Sequence, residues 1–164
     1  MSDPQNKYSK SIIYETATAN DAAELSSLWK LYADAAWSSH TIEESLKISR
    51  YTAFKAIFDS DIVGFILFSS LYEDVEIQAI AVQKKYQNKG VGKALYHLLL
   101  KYIFDESKIN PINIFLEVAK DNLVAQKFYK SLGFERIHQR SNYYSRQGST
   151  IETAIIYKKI ATYS

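Results

Sequence analysis

The chain contains no cysteine, which excludes a disulfide framework, a thiolate zinc site and a cysteine nucleophile. Any catalysis must use other groups. It has only two prolines and five glycines, with no internal repeat, low-complexity stretch or interdomain linker. No apolar run approaches the roughly 18 residues needed to span a bilayer, and the opening "MSDPQNKYSK" lacks the apolar centre of a secretory signal. The expectation is a cytoplasmic protein that does not enter a membrane. Charge of one sign is also missing: 20 basic and 18 acidic residues leave a net +2, too balanced to announce nucleic acid as a partner. His40, His97 and His138 show no metal-binding spacing, so no metal is expected.

What is present is enough apolar residue, 47% of the 164, for one sizeable core. Residues 1–10 read as a polar N-terminal tail and residues 11–164 as a single domain. "SIIYETAT" suits a first strand. Leu25, Leu28, Trp29, Tyr32 and Ala36 then recur at helical spacing behind Asn20 or Asp21, either of which can cap the start. The Thr41 to Glu44 spacing marks a capping box and a second helix. Strands near 52–58 and 62–70 flank the turn "DSD", and "VEIQAIAV" at 75–82 continues the meander. After Gly90 the period changes, with Val91, Ala94, Leu95, Leu98 and Leu99 forming one helical stripe. Pro111 precedes the strand "INIFLEVA". A fourth helix aligns Val124, Ala125, Phe128 and Leu132 and ends at Gly133, a left-handed cap. Two strands near 134–140 and 151–160 finish the chain. The order β-α-α-β-β-β-α-β-α-β-β implies an α/β sheet with antiparallel arms.

The segment "YQNKGVGKAL", 86–95, stands where the strand pattern gives way to the helical one. A helix N-terminus carries unpaired N–H groups and partial positive charge, and glycines let the backbone approach a phosphate. Gln87, Asn88, Lys89 and Lys93 add donors or charge beside Gly90 and Gly92. Neither G-x-x-x-x-G-K-[ST] nor G-x-G-x-x-G is satisfied, so the nucleoside-triphosphate and dinucleotide loops are excluded. On the glycines alone, a relaxed turn with solvated lysines reads equally well.

"IAVQKKYQNKGVGKAL" resembles the acetyl-CoA-binding segment of the GNAT (GCN5-related N-acetyltransferase) superfamily, whose pattern [QR]-x-x-G-x-[GA] is filled by Gln87, Gly90 and Gly92. "LEVAKDNLVAQKFYKSLGF" is similar to the later block of the same family, with Asn122 before the helix and Tyr129 within it. The resemblance implies the GNAT fold, a mixed but mostly antiparallel sheet of about six to seven strands flanked by about four helices. It also implies acetyl-CoA as cosubstrate, with backbone groups of Ile80, Ala81 and Val82 on the acetyl and pantetheine portion. The backbone of Asn88, Lys89, Gly90, Val91, Gly92 and Lys93 would then cradle the pyrophosphate, and Gln87 and Asn122 complete the cofactor-binding residues that the resemblance implies.

Within the superfamily the chain is most similar to the RimI type, which acetylates the N-terminal alanine of a small-subunit ribosomal protein. "AWSSHT", "LEV" and "RSNYYSRQGSTIETAII" carry that likeness. Ala36, Ala119, Thr153 and Tyr157 depart from it, where typical members have proline, arginine, aspartate and methionine, and this leaves the acceptor open. The resemblance makes Glu117 the proton acceptor from the amine and Tyr129 the proton donor to the leaving thiolate. On spacing alone, Glu117 reads as an outward-facing strand residue and Tyr129 as a packing residue. Tyr143 and Tyr144 line the acceptor groove or are ordinary hairpin residues, and Trp37 contacts substrate or packs. The function implied is direct acetyl transfer to a free amine, first a protein N-terminus. The alternatives are a small amine such as a polyamine or antibiotic, and a silent acetyl-CoA-binding domain. Monomer and homodimer both remain open.

Overall fold

The computed structural model describes residues 11–144 and 151–163, with side chains described over 11–141 and 153–163. The expected polar tail, 1–10, therefore lies outside the described residues. In chain order the elements are β1 (Ile13–Thr16), α1 (Ala22–Lys30), α2 (Ser39–Leu46), β2 (Tyr51–Phe58), β3 (Asp61–Leu71), β4 (Asp74–Val82), α3 (Val91–Ser107), β5 (Ile112–Ala119), α4 (Leu123–Ser131), β6 (Glu135–Tyr144) and β7 (Ile151–Ala161). They form one seven-stranded sheet in the order β1-β2-β3-β4-β5-β7-β6. Every neighbouring pair is antiparallel except β4 and β5, whose parallel pairing requires the long crossover that α3 supplies. Both the expected order and the expected sheet are observed. Among the described residues no helix is long and apolar enough to cross a membrane.

The two faces of the sheet are covered unequally. On one face Phe54, Ile66, Phe68, Val75, Ile77, Ile114, Leu116 and Val118 pack with Val91, Leu95, Tyr96 and Leu99 of α3 and with Tyr129 of α4. The opposite face has a smaller cluster, in which Leu25, Leu28 and Ile42 of the first two helices pack on Ala53, Phe65, Leu67, Ala79 and Ala81. Among the described residues, that cluster draws on β2, β3 and β4 and takes no buried residue from β5, β6 or β7. Consequently Phe115, Glu117, Ile156, Lys158 and Ile160 line a part of this face that the first two helices leave open.

β4 and β5 pair only from Asp74–Asn113 to Ile77–Leu116. There β4 bulges: its register with β3 steps from Phe68–Ile77 to Leu67–Ala79, leaving Gln78 as the extra residue. Beyond that point Ala79–Val82 and Glu117–Ala119 keep their outer partners, β3 and β7, but not each other. The result is a gap through the middle of the sheet.

Three local expectations need correction. The first helix ends at Lys30, so Tyr32 is exposed rather than inward. The chain folds back there to bring Trp37 within 5.7 Å of Trp29 between ring centroids and its carbonyl within 2.8 Å of the Ser26 hydroxyl that donates to it. A continuous helix would hold positions 29 and 37 about 12 Å apart. Second, α2 is capped by Ser38, whose hydroxyl accepts from the Thr41 amide at 3.1 Å, while Glu44 pairs with Lys47 at 2.7 Å instead of closing a box. Third, the inward face of α4 carries Gln126 and Tyr129, and Val124 is exposed. Gln126 can point inward because its amide donates to the Lys120 carbonyl at 2.7 Å and its carbonyl accepts from the Tyr157 hydroxyl at 3.3 Å. A stripe drawn through apolar residues alone misses such a satisfied polar group.

Candidate active site

The loop between β4 and α3 is shaped by two left-handed residues, Asn88 at φ 58° and Gly90 at φ 84°. Asparagine tolerates that region and glycine occupies it without steric cost. A Cβ placed on Gly90 would meet nothing within 4 Å, so the approach to the helix N-terminus is open. Val91 is buried and anchors the first turn, and the Ala94 amide donates to the Gly90 carbonyl at 2.9 Å to begin the helix. Gly92 is small for a different reason: a Cβ there would stand 3.1 Å from Cζ of Phe128. Its role is close packing of α3 on α4. Gln87 donates its side-chain amide to the Val82 carbonyl at 2.9 Å, bracing the loop against β4.

Positive charge gathers around this N-terminus. Lys85 and Lys89 lie 5.5 Å and 5.9 Å from the Tyr86 ring centroid, Lys93 is exposed on the first turn, and Tyr86 is itself held against Phe58 at 5.6 Å. Sequence reasoning passed over Lys85 and Tyr86. The signal available was an aromatic flanked by lysines, "KKYQNK".

Ile80, Ala81 and Val82 pair with Ile66, Phe65 and Gly64 of β3 on one edge and border the gap with the other. Glu117 stands beside the gap, immediately after the last β4–β5 pair, and Tyr129 lies in the core on the other face of the sheet. The strand alternation of β5 puts Leu116 and Val118 in the larger cluster and Glu117 on the other side, where its carboxylate pairs with Arg140 at 3.4 Å. Tyr129 is 5% exposed within the larger cluster, its ring 5.7 Å from that of Phe134. Burial pushes its hydroxyl well above the ordinary tyrosine range. Asn122 caps α4 by accepting from the Ala125 amide at 3.1 Å, fixing the turn that follows β5.

On the open face, Trp37 is half-buried between Trp29 and Tyr51, with its ring 6.1 Å from the latter. It joins core and surface. Register places Tyr51, Ser69, Glu76, Phe115 and Lys158 in one row across the sheet, and the Lys158 ammonium lies 5.2 Å from the Phe115 ring centroid. Phe115 and Arg140 were not anticipated as site residues: Phe115 shares the face of Glu117 by the alternation of β5, whereas only register across β7 brings Arg140 there. Tyr143 and Tyr144 belong to the end of β6, opposite Glu152 and Ile151, and their side chains lie outside the described residues. Among the described residues there is no group of three or more histidines, aspartates or glutamates placed to hold a metal ion.

Comparison with known proteins agrees with this fold. A "[Ribosomal protein bS18]-alanine N-acetyltransferase" of Haemophilus influenzae is 30% identical over 120 residues, covering 73% of this chain and 79% of that one. The crystal structure of the Escherichia coli ribosomal-protein-S18-alanine N-acetyltransferase superposes with a TM-score of 0.78 at 24% identity, covering 94% and 96% of the two chains. Arabidopsis thaliana NAA60, solved with a bisubstrate analogue, gives 0.78 at 16% identity over 92% of this chain and 98% of that one. Residues 22–134 match the family described as "Acetyltransferase (GNAT) family", and the chain belongs to it as an N-acetyltransferase of RimI-like sequence.

Proposed function

We propose that the chain transfers the acetyl group of acetyl-CoA directly to the N-terminal α-amine of a protein, with a ribosomal protein as the leading acceptor. The observation that carries this reading is the gap where β4 and β5 part after Ile77 and Leu116, with Glu117 beside it on one face of the sheet and Tyr129 in the core of the other. The residues present fit the cosubstrate. Gly90 leaves the helix N-terminus open, the amides from Asn88 to Lys93 suit a pyrophosphate, and Lys85, Lys89 and Lys93 add positive charge. Acetyl-CoA supplies an activated thioester whose sulfur can leave.

The free edge of Ile80, Ala81 and Val82 aligns the acetyl and pantetheine portion and offers an amide to the carbonyl oxygen as it gains charge. An α-amine has a pKa near 8 and is mostly protonated at neutral pH. Glu117 accepts its first proton, directly or through water, freeing the neutral nitrogen to attack the acetyl carbon, and the second N–H proton passes to solvent as the tetrahedral intermediate collapses. The carbon–sulfur bond breaks, Tyr129 gives its hydroxyl proton to the departing thiolate, and solvent restores it. Because burial raises the Tyr129 hydroxyl, it remains a proton donor throughout the physiological range. Among the relatives, the enzyme from Haemophilus influenzae is named for an alanine acceptor, which supports an alanine-starting peptide as the first to try.

The test is coenzyme A release with purified protein and a panel of free-N-terminus peptides, polyamines and aminoglycosides, with the acetyl group located by mass spectrometry. Preferential α-amine acetylation of an alanine-starting ribosomal peptide is expected. Turnover of small amines with inert peptides would overturn the acceptor assignment. Acetyl-CoA binding with no turnover on any acceptor would overturn the enzymatic one.

A further inference from the structure

The Arg140–Glu117 pair has an unusual reach. Arg140 lies on β6 opposite Ala154 of β7, and Ala154 lies opposite Ala119 of β5. The guanidinium therefore crosses an intervening strand, about 10 Å of sheet, and turns back to set Nη2 3.4 Å from Oε1 of Glu117. Alanines along that row leave its path clear. Both side chains remain in contact with water, 50% and 34% exposed, and a pair so exposed adds little to stability. Lys158, on the same face, lies over Phe115, and His138 sits two strands from Glu117 across Ile156. Among the described residues, the cation on the carboxylate is Arg140.

An incoming α-amine is also a cation at neutral pH, and under the function proposed above its destination is the same carboxylate. We propose that Arg140 holds the acceptor's place on Glu117 and gives way to the acceptor's ammonium, so that it acts as a specificity-determining residue. The inference rests on Glu117 being the proton acceptor. In the exchange no covalent bond changes. In the following step one N–H bond of the ammonium breaks and one O–H bond forms on Glu117, while the guanidinium keeps all its protons. An exposed, weak pair can exchange in this way, whereas a buried one would resist. The consequence is selectivity. A small amine must displace the guanidinium unaided, but a peptide offsets that cost with contacts along the open face at Phe115 and Trp37.

The experiment compares wild type with Arg140→Gln at saturating acetyl-CoA and fixed ionic strength, using an alanine-starting hexapeptide and alaninamide as acceptors and methylguanidinium as inhibitor. We expect Arg140→Gln to lower KM for alaninamide about two- to fivefold and for the peptide by less, narrowing the discrimination between them. Methylguanidinium should compete with the acceptor and bind the variant more tightly than wild type. Unchanged KM values and equal inhibition would overturn the proposal. So would a fall in kcat that methylguanidinium restores, since Arg140 would then be holding Glu117 in position. If wild type acetylates neither acceptor, the function proposed above fails independently. The exchange is then read from the carboxyl-carbon resonance of Glu117 during an alkylammonium titration, where tighter binding in the variant supports it and equal affinity refutes it.

Discussion

Under the proposed function, the two faces of the sheet solve different recognition problems. On the side of α3 and α4 the parts suited to a constant ligand are backbone: a left-handed turn at Asn88 and Gly90, a helix N-terminus and the free edge of Ile80–Val82. On the side of α1 and α2 the helical cover stops at β4, and the open remainder offers side chains from several strands, Phe115, Glu117, Arg140 and Lys158 among them. Backbone recognition constrains spacing and glycine placement within one short segment. Side-chain recognition of an acceptor spreads over distant positions that vary independently.

The sharpest way to separate the two sides is Glu117→Gln. It should reduce kcat by about 10²- to 10⁴-fold while leaving acetyl-CoA affinity unchanged in equilibrium titration. A matching loss of cosubstrate affinity would merge the two sides. Tyr129→Phe should also act on turnover, by about 10- to 100-fold, again with little change in acetyl-CoA affinity. Equal turnover, with chemistry shown to be rate-limiting, would return Tyr129 to a packing role. Since burial raises its hydroxyl, wild-type kcat should show no alkaline loss from Tyr129 ionisation up to pH 10.

Replacement of both Lys85 and Lys89 by alanine tests the cosubstrate side. Acetyl-CoA KM should rise several-fold at low salt, with a smaller effect at high salt as screening replaces the lost charge, and acceptor KM should stay constant. The smallest effect concerns how the α1 cover is held. Asp21 ties the start of α1 to Lys55 of β2 at 2.8 Å, with both side chains 15% exposed. Burial works to raise the Asp21 carboxyl, but hydrogen bonds from Lys55 and the Thr18 amide outweigh it and hold the group below its usual range. Its stabilisation is therefore complete above the unfolded value near 3.9 and is lost as pH falls through the lower folded value. Asp21→Asn should lower unfolding free energy by about 1–2 kcal/mol at pH 7, and the gap to wild type should close in acid denaturation below about pH 4.

The same division explains what could be read in advance. Strand and helix order, the turn at Asp59–Ser60, the left-handed Gly133 and the strand-to-helix turn at Gly90 were all legible, because local conformation demands particular residues within a few positions. Gly92 was noticed for the right location, but its contact with Phe128 of α4 required the tertiary arrangement. The inward Gln126 and Arg140 beside Glu117 were not legible. The first depends on a partner hydroxyl 31 positions away, at Tyr157, and the second on register across three strands.

The single extra residue at Gln78 has one more consequence. Val75, Ile77, Ala79 and Ala81 alternate without interruption in sequence, yet the first two belong to one core and the last two to the other. Deleting Gln78 would leave each of these side chains on its present face and let the ladder with β3 run through unbroken. It would also remove the reason for β4 to leave β5, so the two strands could continue to zip together. Such a variant should fold at least as firmly as the natural chain and catalyse nothing. Under the proposed function, activity in this sheet depends on an imperfection that selection for stability alone would erase.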